Sequence, residues 1–353
     1  VRHVPTLALL FTASPALAVE VAVLAATQPG EAPLGEHLND VYASDPTLSF
    51  THLEVGPTWN PTELATLDAY DVVLVSATHA EMADPDTVEA VIEAYWYFFG
   101  PLVSSAGLPN DRTFLLDDAF PLASPDGAPG LGFAGAAPSS FDALRPGHPM
   151  LAGVTDFLPP DFLRAEPVAN AMVLATFDGT DVPAVSLSAS LYSVLSGYSA
   201  TINAPGLYGD DYRPDGWPAA GDGYTLLANT LRHVAQTPAP HVIVDGLCPG
   251  PMEIIGLGLT PGAPTALLTG DIFFGLHSPV PPRATIPGGR CAGQGLPFSP
   301  GTVQLRRMQS VGAEGTFTVV LPVSNPALCE VQMALVDLTT CAVSNAFSYD
   351  SGN

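Results

Sequence analysis

From Val19 onward, short apolar runs alternate with stretches of helical periodicity, the pattern of an α/β layer fold. VEVAVLAA at 19–26 reads as a buried strand, residues 35–42 as a short helix, and LSFTHLEV at 48–55 as a strand alternating at period two. Asn60-Pro61-Thr62-Glu63 opens a helix with an N-cap, an N1 proline and a capping-box glutamate. VVLVS at 72–76 has the continuous β-branched character of a central parallel strand. Asp84-Pro85-Asp86 starts a helix whose Val88, Val91, Ile92, Tyr95 and Trp96 form one apolar face, and PLVSS at 101–105 is a fourth strand. Residues 107–146, rich in Gly, Pro, Ala and Asp, carry no period and read as a long surface excursion. Strands follow at 172–176, 182–187 and 192–195, and a helix capped by Asp222 runs through Val234.

The grammar then changes. Residues 237–244, with Pro238 and Pro240, read as a linker, and beyond it helix signals vanish. MEIIGLGL, TALLTG, TVQLRR, TFTVVLP and CEVQMALVDL are strands separated by Gly and Pro turns, as in a β-sandwich. The expected organisation is an α/β domain at 19–236 and an all-β domain at 245–353. Ahead of both, residues 1–18 place Arg2 and His3 before an apolar stretch ending Ala16-Leu17-Ala18, which reads as a signal peptide. No later run reaches the ~18 apolar residues of a membrane span.

Cysteine and charge sharpen this picture. Cys248, Cys291, Cys329 and Cys341 all lie in the β region; an even number there in an exported chain reads as two disulfides, with three pairings open. A zinc site is disfavoured because no Cys-x-x-Cys occurs. The net charge is −25, and all ten basic residues are arginine. A field of that sign repels nucleic acid and anionic membranes. It is concentrated in the first domain: residues 19–240 hold 28 acids against five arginines, and 241–353 hold seven against four. Such an excess serves solubility more readily than cation binding.

Taken in order, VEVAVLAA, LDAYDVVLVS, HPMLAGVTDF (148–157), VLATFDGTDVPAV and GDGYTLLANTLRHVA resemble the class I glutamine-amidotransferase-like superfamily, trehalose-utilisation-type proteins included. That resemblance, over residues 19–236, implies a flavodoxin-like, three-layer domain with a mostly parallel sheet. Active amidotransferases of the superfamily use a cysteine nucleophile paired with a histidine. Residues 1–247 contain no cysteine, so glutamine amidotransfer is excluded by composition. The tail, through GLCPGPMEIIGLGLTPG, PGGRCAGQGLPF and CEVQMALVDLTTCAVSN, is similar to a β-sandwich module at the C-termini of exported planctomycete-type and myxobacterial-type proteins. That likeness implies the pairs Cys248–Cys291 and Cys329–Cys341, and a role in display or attachment.

Two constellations remain as candidates for chemistry. Ser76 or Ser104, each at the end of a predicted strand, could act as a nucleophile with His79 or His148 as base, although no Gly-x-Ser-x-Gly elbow is present. GDDYRPDGWPAAGDG at 209–223 carries Asp210, Asp211, Asp215 and Asp222, hard oxygen ligands that suit calcium but lack EF-hand spacing. The favoured expectation is a secreted, cell-surface or periplasmic non-catalytic protein, built for binding or structural display, with an extracellular ligand such as carbohydrate and no cofactor beyond calcium. The alternative is an extracellular hydrolase of carbohydrates or esters, working at the carboxyl ends of the strands, where open α/β sheets place ligands.

Overall fold

A computed structural model of the chain describes residues 18–25, 33–54, 64–67, 69–76, 100–105, 122–123, 141–157, 159, 162, 166–167, 171–189, 197–204, 221–246, 248–271, 284–325, 329 and 331–348. The signal segment, the helix expected after Asp84 and the strand expected at 192–195 lie outside these residues.

The first region contains β1 (Val19–Ala25), α1 (Leu34–Val41), β2 (Leu48–Glu54), α2 (Leu64–Leu67), β3 (Val72–Ser76), β4 (Leu102–Ser105) and β5 (Leu122–Ala123). It continues with β6 (Phe141–Ala143), β7 (Glu166–Pro167), β8 (Met172–Phe177), β9 (Pro183–Ala189), β10 (Tyr198–Ile202) and α3 (Gly223–Gln236). Eight strands form one sheet in the order β2-β1-β3-β4-β10-β9-β8-β6. It is mixed: pairs from β2 to β10 are parallel, and pairs from β10 through β9 and β8 to β6 are antiparallel. β5 and β7 pair separately.

The apolar alternation works as expected. Val19, Val21, Val23 and Ala25 of β1 share one core with Leu34 and Leu38 of α1 and with Leu226, Leu227, Leu231 and Val234 of α3. Both helices bury one stripe against one face of the sheet. Polar groups fix their placement: Asn39 bridges α1 to the backbone of Phe50, and Arg232 of α3 pairs with Asp45 and Thr47 ahead of β2. The carboxyl of Asp45 is buried in part, which alone would raise its pKa, but hydrogen bonds from Thr47 and the Arg232 guanidinium bring it below its ordinary value. Within the sheet, the Ser104 and Thr201 hydroxyls satisfy each other at 2.8 Å, as do those of Ser188 and Ser199 at 3.0 Å.

Two expectations change here. The unperiodic stretch 107–146 ends in an edge strand, since β6 adds to β8. The segment read as linker is half strand, because β11 (His241–Gly246) begins immediately after Pro240 and pairs along its length with β12 (Gly250–Leu257). The region continues with β13 (Pro264–Gly270), β14 (Gln304–Ser310), β15 (Phe317–Val323), β16 (Gln332–Asp337) and β17 (Phe347–Ser348). These form two antiparallel sheets, β11-β12-β15 and β14-β13-β16-β17. Met252, Ile254 and Phe317 of the first meet Leu267, Met333 and Leu335 of the second in one apolar layer. On its other face the second sheet is covered by Ala284, Leu296 and Phe298. Gly256 of β12 sits where a Cβ would collide with Leu335 and press on Phe317, so the bare position lets Leu335 of the facing sheet pack closely against β12.

The disulfides are Cys248–Cys329 and Cys291–Cys341, not the pairs implied by the tail's resemblance. Cys329 precedes β16 and Cys341 follows it, and a strand of six residues spans roughly 20 Å. That exceeds the ~7 Å that a bridge permits between Cα atoms. Cys329 instead lies with Cys248 in the layer between the two sheets. Cys341 lies with Cys291 in the core of the first region, so the second bridge sits at the seam between the two regions.

Three outcomes are expected. Non-reducing peptide mass mapping should recover linked peptides for Cys248 with Cys329 and for Cys291 with Cys341. With 81 and 50 residues closed, each bridge should stabilise the chain by about 4 kcal/mol on the loop-closure model, measurable by denaturant unfolding of each double Cys→Ser variant. Gly256→Ala should destabilise by roughly 1–3 kcal/mol through overpacking, read in the same way.

Candidate functional site

The parallel strands define two ends of the sheet. β10 starts at Tyr198 and β8 at Met172 on the amino-terminal end; α3 returns antiparallel to β10 and brings His233 to that same end. The C-terminal region docks here. Buried Gln294 donates to the carbonyl of Ala171 at 3.3 Å, and Arg145 donates to Sγ of Cys341 at 3.2 Å. Between the two regions lies a cavity of about 620 Å³.

Its walls come from distant parts of the chain. The segment after β6 supplies Arg145 and His148, β10 supplies Tyr198, and the end of α3 supplies His233 and Thr237. The C-terminal region supplies Thr260, Arg290, Asp337, Thr339 and Thr340. A second hollow of about 680 Å³, lined also by Gln294 and Gly295, shares Leu144, Arg145 and Arg290 with the first.

The polar groups divide sharply by what they already bind. Asp337 is buried, and its carboxylate accepts from the backbone N–H groups of Thr260 at 2.8 Å, Thr339 at 2.7 Å and Thr340 at 3.1 Å. It therefore acts as a turn anchor. His148 accepts at Nδ1 from the N–H of Met150 at 3.3 Å, capping the 3-10 turn Pro149–Leu151. His233 shares a hydrogen bond through Nδ1 with the Thr237 hydroxyl at 3.2 Å. The His148 ring meets the His233 ring edge-on at 4.8 Å, and the Tyr198 ring stacks on His233 at 5.7 Å.

Burial governs protonation here. It lowers the His148 pKa to about 3, with contributions from His233 and from Arg145, and it lowers that of His233 to about 4. The phenol of Tyr198 is pushed up by burial and by the charge of Asp337. Arg145 is lowered by burial and by repulsion from Arg290. Among the described residues, neither Arg145 nor Arg290 has a carboxylate partner.

The sequence-predicted residues do not gather in this place. Ser104 is buried within β4 and spends its hydroxyl on Thr201. Ser76 is the last residue of β3, at the carboxyl end of the sheet, whereas His148 is at the amino end. His79, Asp210, Asp211 and Asp215 lie outside the described residues. Asp222 occupies the N-cap position of α3, but its side chain makes no capping bond. Its Oδ2 instead accepts from the N–H groups of Thr155 at 2.7 Å and Asp156 at 3.0 Å, which lowers its pKa. Gly221, at φ +75, makes this possible: any side chain there would meet the carbonyl of Asp156. No group of three or more potential metal ligands occurs among the described residues.

No family model matches the chain, and no curated protein is similar to it at a significant level. Solved structures similar to this chain include the following two. A ThuA-like protein of Bacteroides uniformis ATCC 8492 covers 64% of this chain and 94% of its own, at 15% identity and a TM-score of 0.39. A ThuA-like protein of Parabacteroides merdae ATCC 43184 covers 62% and 90%, at 12% identity and a TM-score of 0.43. No helix among the described residues is long and apolar enough to cross a membrane.

Both imidazoles should stay neutral in mild acid, so their ring proton shifts should be constant from about pH 7.5 to 5.5, where an ordinary histidine titrates. The unfolded chain binds more protons than the folded one between the ordinary 6.5 and the lowered values. The stability these rings supply is therefore complete above pH 6.5 and is lost as pH falls through 4 and then 3. Denaturant unfolding across that window should show a steeper acid loss for the native chain than for His233→Gln.

Proposed function

We propose that this is an exported, non-catalytic binding protein in which an amidotransferase-like α/β domain and a C-terminal β-sandwich hold a small ligand between them. The observation that carries this reading is the inter-region cavity, whose described lining residues offer recognition groups and include neither an activated nucleophile nor a usable base. A histidine with a pKa of about 3 is too weak a base to activate a hydroxyl near neutral pH. Of the buried sheet hydroxyls, Ser104 is paired with Thr201 and Ser188 with Ser199, and Ser186 is enclosed within β9 away from the cavity lining. All four cysteines are in disulfides, so no thiolate stands in for the superfamily's nucleophile. Two disulfides also support an oxidising location, in keeping with export to the cell surface, periplasm or medium.

The hydrolase reading has less support, because Ser104 is buried and His148 lies at the other end of the sheet from Ser76. The test is direct. The purified chain should release no ammonia from glutamine, and should not turn over nitrophenyl esters or glycosides above the level of Ser76→Ala and His148→Gln variants. Turnover that those substitutions abolish would establish an enzyme in place of a binding protein.

A further inference from the structure

Arginine is scarce in this chain, ten residues in 353, yet Arg145 and Arg290 come from segments 145 positions apart to line the same cavity. They repel one another, in a chain whose 35 acidic residues could have offered counter-ions. None of the described acids pairs with either arginine. Among the described residues Asp337 is the one carboxylate lining the cavity, and its oxygens are directed to three backbone amides. With both imidazoles neutral, the described lining of the cavity, Arg145 and Arg290 against Asp337, retains a positive balance inside a protein of net charge −25. Guanidinium forks with no carboxylate partner among the described residues, beside a space larger than a bare ion needs, match the planar or tetrahedral oxygens of a carboxylate, sulfate or phosphate group. We propose that the ligand is a small organic oxyanion of about monosaccharide size, its charged group held between Arg145 and Arg290 and its body in the cavity beside His148 and Tyr198.

This inference rests on the binding-protein reading, and two-dimensional amide NMR of the full chain separates the two. The probes are glucuronate, glucose 6-phosphate and uncharged glucose, each titrated against wild type, R145Q/R290Q and the control R306Q/R307Q. The control removes the same charge from β14, an exposed edge strand remote in the pairing order from the cavity. At least one anionic probe should shift the resonances of residues around His148, Tyr198 and Thr339. Its affinity should fall more than about tenfold in R145Q/R290Q and be unchanged in the control. Inorganic sulfate should compete with it on the wild-type chain, and the single substitution R290Q, at an exposed loop residue, should weaken it even if the double variant does not fold. Uncharged glucose binding as well as the anions, or anion binding indifferent to both arginines, would overturn the oxyanion assignment and leave the binding reading standing. Absence of any shift around the cavity with all three probes would overturn both.

Discussion

The two halves of the chain are held together by one shared apolar core at the amino-terminal end of the mixed sheet, into which the C-terminal region inserts its Cys291–Cys341 bridge. Both sulfurs belong to the same apolar core as Met150, Tyr198 and the buried stripe of α3. Ile286 and Leu338 extend that core to the cover of the four-stranded sheet, so apolar packing runs without a gap from α1 to the layer beneath Phe298. A polar seam would leave the two regions free to rock on a short connection. Here the seam is apolar, and a crosslink internal to the C-terminal region packs into it, with Arg145 of the first region set directly against its sulfur.

That docking also explains where the cavity falls. Open α/β sheets place ligands beyond the carboxyl ends of their strands, because helix amino termini and loops converge there. In this chain the amino ends are occupied by a second body, and the hollow forms between that body and the strand starts. The carboxyl ends carry Ser76 and Ser105, the terminal residues of β3 and β4. The two ends of one sheet thus offer different surroundings.

Much of the fold was legible because periodicity reports burial. VEVAVLAA, VVLVS and the five C-terminal runs became strands, and the LLANTLRHV stripe became the buried face of α3. Local rules failed where a distant partner decided the outcome. FDA at 141–143 is too short and too polar to read as a strand, and becomes one by adding to β8. Asp222 has the chemistry of a cap, yet the amides of Thr155 and Asp156 reach it first. The disulfides followed cysteine order in the tail's resemblance, whereas the intervening length of β16 dictates the pairing. The cavity was the least legible feature, because Arg145, Tyr198, His233, Arg290 and Asp337 have no spacing that links them. One weak signal existed: Arg145 and Arg290 are rare cations next to glycine- and proline-rich turns.

Because the cavity has walls from both regions, it exists only while they are docked. Occupancy and assembly of the seam are then a single linked equilibrium, in which any molecule filling the space binds the joined form and ignores the parted one. At a concentration of 100 times its dissociation constant, such a molecule would add about 2.7 kcal/mol to the cohesion of the two halves. Resistance of the chain to heat, or to proteases acting at 237–240, would then report what is dissolved around it.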